Sequence, residues 1–364
     1  MSLTWNTIAG FFAPWLITAC TLLLHLVLPA RRVTGYVIDE KSGKPLTYRL
    51  NGILVFTVSM AAFALLTRWG GVPADWLFER RWEGLAGSCV LGIAASIAIV
   101  TGVPKIKSSL PADFYLGRRF NPQFLGKRVD AKMFLYLTGA TLLGLNILSF
   151  AARHVMLYGD NASPSVILYA ALFFWFLLDY MTFERVHLYT YDLFAERVGF
   201  KLTFGCLTFY PYFYAIGLWA AAPLPNPNMP VWLMALSAAV FFTGWTFSRG
   251  ANMQKYYFKT RPDKSFLGIL KPSAISDGEH TLLCGGFWGM SRHVNYLGEV
   301  LMAAGLTLSL GYPGLLWGWL YPLYYVLLLS TRERDDEKRC RQKYGALWEE
   351  YTKRVPKRII PRIY

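Results

Sequence analysis

Long apolar runs separated by short basic segments govern what this 364-residue chain can fold into. A run of about 17–25 apolar residues matches the hydrocarbon core of a bilayer, where backbone polar groups must be satisfied internally, as they are in a helix. Such runs lie near 8–30, 50–69, 83–103, 132–152, 165–183, 202–223, 230–248, 295–311 and 313–330, and a half-buried or re-entrant piece between 264 and 292 would add a tenth. Composition points the same way, with 54% hydrophobic and 16% charged residues, against roughly a quarter charged in a soluble domain. The expected fold class is therefore an all-α polytopic membrane protein with about nine or ten transmembrane helices. The first run has no basic leader and no small-residue cleavage site after it, so no cleavable signal is expected.

The net charge of +15 matters through its placement. Lys105, Lys107, Arg118, Arg119, Lys127 and Arg128 precede the fourth run, and Arg249, Lys255, Lys259, Arg261, Lys264 and Lys271 precede the eighth. The tail from Arg332 to Tyr364 is densely basic, whereas 224–229 carries no charge. Nine spans put every strongly basic segment on one side, which makes the C-terminus cytoplasmic. Basic residues confined to inter-span loops are not the exposed basic and aromatic face of a nucleic-acid binder, so nucleic acid is excluded as a partner. Cys20, Cys89, Cys206, Cys284 and Cys340 form no CxxC or Cys/His spacing, and HExxH is absent, so neither a disulfide framework nor a metal site is expected. The chain reads as one transmembrane domain over 1–364, with an N-terminal helical sub-bundle over 1–153.

Polar residues recur at helical spacing in three C-terminal blocks. Lys255 and Lys259 are four apart and point to one side of a helix end. Arg292, Asn295, Tyr296 and Glu299 fall on one face, as do Arg332, Asp336, Cys340 and Lys343. Such groups at a membrane helix are costly unless they meet a cavity or a ligand, and cations from three blocks suit a polyanionic, phosphate-bearing ligand. No GxGxxG and no P-loop occurs, so any nucleotide binds without a Rossmann fold. The plainer reading is that the lysines and arginines follow the positive-inside rule alone, that His293 caps a helix, and that the aromatic run 209–214 serves packing. A further polar stretch, Asp179, Tyr180, Glu184, His187, Asp192 and Glu196, closes the fifth run. It either caps that helix at the interface or supplies protons to a substrate arriving from lipid.

GFWGMSRHVNYLGE, RDDEKRCRQKYGALWEEY and RIIPRIY, with DFYLGRRFNPQ at 113–123 and FERVHLYTYDLFAERVGFKLTFGCL at 183–207, resemble the motifs of the Δ14, Δ7 and Δ24 sterol reductases, a family that includes the C-terminal domain of the lamin B receptor. The resemblance covers roughly 105–364, and the wording is nearest the Δ14 branch. Two departures stand out: Gly205-Cys206-Leu207 replaces the family's GDL, and Tyr136-Leu-Thr-Gly replaces an E-x-R-P-G stretch.

The resemblance implies an NADPH-dependent reduction of a sterol carbon–carbon double bond and a catalytic sub-bundle over 154–364 holding NADPH and sterol pockets. Lys255, Lys259, Leu283, Trp288, Asn295, Tyr296, Asp336, Cys340, Lys343, Tyr344 and Tyr351 would line the cofactor pocket, with Arg292, His293 and Arg332 as additions. An isolated alkene takes up hydride only after protonation toward a tertiary carbocation, so the site needs a shielded acid. Tyr180 and Glu184, with Asp192 in support, are the candidates, and Phe209, Tyr212 and Tyr214 would wall the sterol rings. The sterol is expected to arrive from the bilayer of a bacterial inner membrane or the endoplasmic reticulum. Two rivals are a membrane methyltransferase of the isoprenylcysteine or phospholipid type, which ends in similar wording and uses S-adenosylmethionine, and an inactive scaffold of the same fold.

Overall fold

The computed structural model describes residues 4–39, 42–101, 104 and 109–364. Lys105, Lys107 and the last two residues of the 83–103 run lie outside them. The chain forms two compact units, Met1–Asn228 and Met229–Tyr364. That division by packing falls at a different place from the sub-bundle boundary expected at 153/154.

In the first unit, α1 (Trp5–Val27), α2 (Gly52–Trp69), α3 (Arg81–Val100), α4 (Ala131–Tyr158) and α5 (Pro164–Thr182) are the long helices. Helix α4 is apolar on nearly every side and supplies much of the core, with Leu137, Leu143, Ile147 and Phe150 fully buried; a helix hydrophobic all round belongs inside. It starts where the Asp130 carboxylate accepts the Met133 N–H at 3.1 Å and stops at Gly159, whose φ of 54° is left-handed.

The last carbonyls of α1 would be orphaned at its C-terminus. Arg49 donates to the carbonyls of His25 (3.1 Å) and Leu28 (2.6 Å), Asn51 to that of His25 (3.1 Å), and Arg128 to that of Leu26 (2.7 Å). Two cations there also complement the helix dipole. Arg49 and Asn51 flank the end of an antiparallel hairpin, β1 (Arg31–Ile38) and β2 (Pro45–Leu50). Its inner residues Leu46, Tyr48 and Leu50 pack on Met133, Leu188 and Leu193.

The run expected at 202–223 is a broken helix, in pieces Phe200–Phe204, Gly205–Phe209, Tyr210–Phe213 and Ile216–Ala221, the second wound as a π turn. Pro211 has no N–H to give to the Leu207 carbonyl, and the Ser88 hydroxyl of α3 bonds to that carbonyl instead. Thr208 returns a bond to the Ser88 carbonyl (2.7 Å), and Asn146 of α4 donates to the Pro211 carbonyl (3.0 Å). Side chains of neighbouring helices thus repair a backbone that a bilayer alone would leave unsatisfied.

The second unit contains α6 (Val231–Thr260), α7 (Val294–Ser309), α8 (Leu316–Tyr344) and α9 (Ala346–Arg354). Helices α6 and α7 meet backbone to backbone: a Cβ on Gly298 would strike the Ser248 nitrogen and the Gly244 oxygen, and one on Gly305 would strike Phe241. Small residues at such crossings let membrane helices approach closely.

Among the described residues six helices, α1 to α6, are long and apolar enough to cross a membrane. The architecture is all-α and polytopic, as the sequence implies. The remaining three expected runs take other forms: the broken helix just described, the 16-residue α7, and the apolar first half of α8. The piece between 264 and 292 is a short strand pair, Ala274–Ser276 with Thr281–Leu283, and a single helical turn, Phe287–Met290. It adds no tenth helix, because Gly278, Gly285 and Gly286 interrupt any continuous run.

Candidate functional site

His293 just before α7, and Arg339 and Lys343 on the polar half of α8, lie within electrostatic reach of Lys255. Lys255, near the end of α6, holds its ammonium 5.6 Å from the centre of the Trp288 ring. Trp288 is fixed by its indole N–H on the Ala251 carbonyl (2.8 Å) and accepts the Tyr351 hydroxyl at its own carbonyl (3.3 Å). Gln254 supports the turn before it, donating to the Gly285 carbonyl (3.1 Å) and accepting the Phe287 N–H (3.0 Å). Gly286 sits at φ 63° with Gln254 against it, so no other residue fits there without strain.

From α8, Asp336 and Cys340 face the same place. Burial raises the Asp336 carboxyl, and the charges of Lys255, Arg339 and Arg332 pull it back down. Burial, with Asp336 beside it, pushes the Cys340 thiol up to about 12, so it is a neutral lining group rather than a nucleophile. Cys340, Tyr344 and Cys284 pack on the cluster of Ile275, Leu347, Trp348, Tyr351 and Val355, and Leu282 joins them. Leu283 lies next to Leu282 in its strand. Helix α8 carries Arg332, Asp336, Cys340 and Lys343 on one face, as their spacing predicts.

The face expected from Arg292 to Glu299 is differently built. Helix α7 starts at Val294, so Arg292 precedes it and lies off that face. Its guanidinium is buried and turned into the protein, donating to the carbonyls of Val355 (2.9 Å) and Pro356 (3.0 Å) and pairing with Glu337 at 3.4 Å. The Trp348 indole bonds the other oxygen of Glu337 (3.1 Å). The backbone N–H groups of Arg292 and His293 bond to the carbonyls of Lys357 and Arg358, and Ser291 to that of Ile359. Arg292 is thus the clamp that ties the segment after α9 to the start of α7. Glu299 is engaged by the Ser248 hydroxyl of α6 at 2.5 Å.

His293 and Asn295 each keep one buried polar atom without a partner among the described residues. The His293 ring stacks on Tyr296, with centroids 4.8 Å apart. Burial, then Arg292, Lys255 and Arg358, push it down to about 3, so it is neutral at physiological pH. Its Nε2 and the Asn295 Oδ1 are buried with no hydrogen-bond partner among the described residues. Such an atom costs roughly 1–3 kcal/mol. A ligand carrying amide or hydroxyl groups beside phosphates fits this combination of orphaned atoms and nearby cations.

The acid candidates lie in the first unit. Tyr180, in the last turn of α5, stacks on His187 at 3.8 Å, and Tyr136, one of the family departures, meets it edge-on at 6.1 Å. Glu184 opens the short turn Glu184–His187, and its carboxylate accepts the Gly52 N–H at the start of α2 (2.8 Å). Burial pushes it up to about 7, against the lowering effect of that bond. It is a helix cap and a proton-holding acid at once. Asp192 lies on the next turn, Tyr191–Phe194, and is half-exposed.

Of the aromatic wall, Phe209 stacks on Phe213 (4.2 Å) and meets Tyr214 edge-on (6.4 Å). Tyr212 is buried and lines a void of about 10 Å³ with Gly10, Pro14, Arg80, Gly84 and Asn146, room for little more than a water. The structure therefore joins Phe209 to Tyr214 and points Tyr212 elsewhere. Cys206, the other departure, sits among Leu91, Ala131, Leu135, Val198 and Leu207, where a thiol is at home.

Sequence reasoning missed Lys132, which is fully buried and spends all its protons on backbone carbonyls. A lysine opening an apolar run was the available signal. Among the described residues no cluster of metal-ligating side chains occurs.

The model of the ergosterol biosynthesis ERG4/ERG24 family matches residues 2–364. The chain is similar to the Delta(14)-sterol reductase of Arabidopsis thaliana, 33% identical over 350 residues that cover 93% of this chain and 91% of that protein. It is similar to the mouse Delta(14)-sterol reductase, 33% identical over 373 residues (97% and 86%), and to that of the bacterium Methylotuvimicrobium alcaliphilum, 29% over 368 (99% and 84%). A match that runs the length of the chain and takes in the loops before α4 and α7 leaves one reading: the chain belongs to the ergosterol biosynthesis ERG4/ERG24 family.

Proposed function

We propose that this protein reduces a carbon–carbon double bond of a sterol, the Δ14 bond in preference to Δ7 or Δ24, with NADPH as the reductant. The observation that carries the reaction is the length-wide similarity to proteins named Delta(14)-sterol reductase. The geometry supports the division of labour. NADPH would be held in the second unit, its phosphates by Lys255, Lys259, Arg332 and Lys343, against Trp288, Tyr296, Tyr344 and Tyr351. Asn295 Oδ1 and His293 Nε2 meet amide or hydroxyl groups, Asp336 and Cys340 line the pocket, and Leu283 packs against it. When bound, NADPH supplies the hydride that quenches a sterol carbocation.

The first unit makes that carbocation. Glu184, whose carboxyl burial raises to about 7, is the proton source, with Tyr180 as relay and Asp192 in support. Proton delivery to an alkene needs a site closed to water, which suits an acid at the end of a membrane helix. Phe209 and Tyr214 would flank the sterol rings, without Tyr212, which faces the small void beside Gly10 and Gly84. The sterol enters from the bilayer, and the C-terminus faces the cytoplasm by the distribution of Lys and Arg.

Incubation of purified protein with NADPH and Δ14, Δ7 and Δ24 sterols, followed by mass spectrometry, should show a two-hydrogen mass gain for the Δ14 substrate first. Saturable binding of S-adenosylmethionine with no response to NADPH would favour the methyltransferase and sink this reading. NADPH binding without reduction of any sterol would favour the scaffold.

A further inference from the structure

We infer that Lys132 is a positioning residue, which sets the loop bearing Asp192 by binding its backbone. Lys132 is the second residue of α4 and has no exposed surface. Its ammonium donates to the carbonyls of Asp192 (2.9 Å), Leu193 (2.9 Å) and Glu196 (2.5 Å). An ammonium has three protons, and one turn of backbone takes all of them. Asp130 from the start of α4, with Asp192 and Glu196 from the loop, surrounds it with negative charge, and Glu196 is in turn paired with Lys201 at 2.9 Å.

The loop needs such a clamp. The helix Tyr191–Phe194 is four residues long, too short to hold itself. Its apolar side is fixed by Leu193 beneath the β1–β2 hairpin, and its far end by the bridge of Val198 to Arg119. Between these anchors Lys132 draws the carbonyls of 192, 193 and 196 to one point, which sets where the Asp192 side chain leaves the backbone. An apolar side chain would fill the same volume with no desolvation cost, so the three carbonyl bonds are what the ammonium contributes. A displacement of about 1 Å in a positioned group costs on the order of a hundredfold in rate. The inference rests on the proposed role of Asp192 in support of the proton donor.

The test uses the full-length protein with Lys132→Met and Lys132→Arg. Hydrogen exchange, read without substrate, should speed up by about tenfold or more over residues 190–198 in Lys132→Met and elsewhere stay unchanged. In the same variant kcat should fall about tenfold or more while the KM for NADPH stays within about twofold. Lys132→Arg keeps the charge and the donors, and should recover near-normal exchange and part of kcat. Unchanged exchange in Lys132→Met overturns the clamp, and faster exchange with unaltered kcat overturns the positioning role. A wild type that reduces no sterol sinks the functional reading and the positioning role together, while the exchange measurement still decides whether Lys132 holds the loop.

Discussion

A carboxyl donates a proton near neutrality only if its surroundings keep the proton on, and Glu184 has such surroundings. Burial lifts it from an ordinary 4.5 to about 7, and the single Gly52 N–H works the other way. Raised in the folded protein, the group binds more protons there than in the unfolded chain between those values. It contributes stability that is complete below about 4.5 and is lost as pH rises through about 7. Glu184→Gln keeps an acceptor for Gly52 and removes the titration. Its thermal unfolding should be flatter than that of the wild type between pH 4.5 and 7, and its turnover should fall about a hundredfold or more. Wild-type turnover should decline as pH rises through about 7. A Glu184→Gln enzyme with full turnover would remove the assignment.

At the scale of elements, the crossing of α6 and α7 holds the second unit together, and glycine makes it possible. Gly298 lies against the Gly244 oxygen and the Ser248 nitrogen, whereas Gly314 has open space around it. Gly298→Ala should therefore cost roughly 1–3 kcal/mol through overpacking, while Gly314→Ala stays near neutral. Thermal unfolding in detergent measures both, and equal melting temperatures would show that the helices separate without penalty. The same crossing carries Ser248 to Glu299, which explains why Glu299 is engaged within the bundle although its spacing suggests a ligand face. Helix α8 follows its sequence more closely: four polar residues at helical spacing do share a side. Helix α7 does not, because it begins at Val294 and Arg292 answers to the carbonyls of Val355 and Pro356 instead.

For the whole molecule, the expected cofactor residues all lie within Met229–Tyr364, and the expected acid and ring-wall residues within Met1–Asn228. Binding and proton chemistry should therefore separate under mutation. Glu184→Gln should bind NADPH within about twofold of the wild type, as read from quenching of tryptophan fluorescence. Lys255→Met with Arg332→Met should weaken binding by about tenfold to a hundredfold, the worth of lost charge-assisted hydrogen bonds. Loss of NADPH binding in the Glu184 variant would end this separation of roles.

Membrane class, the apolar runs and the family were legible in the sequence, because hydrocarbon thickness, loop charge and motif spacing are local properties of the chain. So were the cationic blocks, which sit at fixed separations on single helices. Burial and the company of distant residues were not legible, since they arise only when segments far apart meet. The tertiary structure supplied Ser88 and Asn146 to mend the helix that Pro211 interrupts within 202–223. It turned Arg292 inward, brought Gly52 to Glu184 and wrapped the 192–196 carbonyls around Lys132. Each of those outcomes is a polar group finding a partner dozens of residues away, a pairing set by three-dimensional proximity and absent from any local pattern.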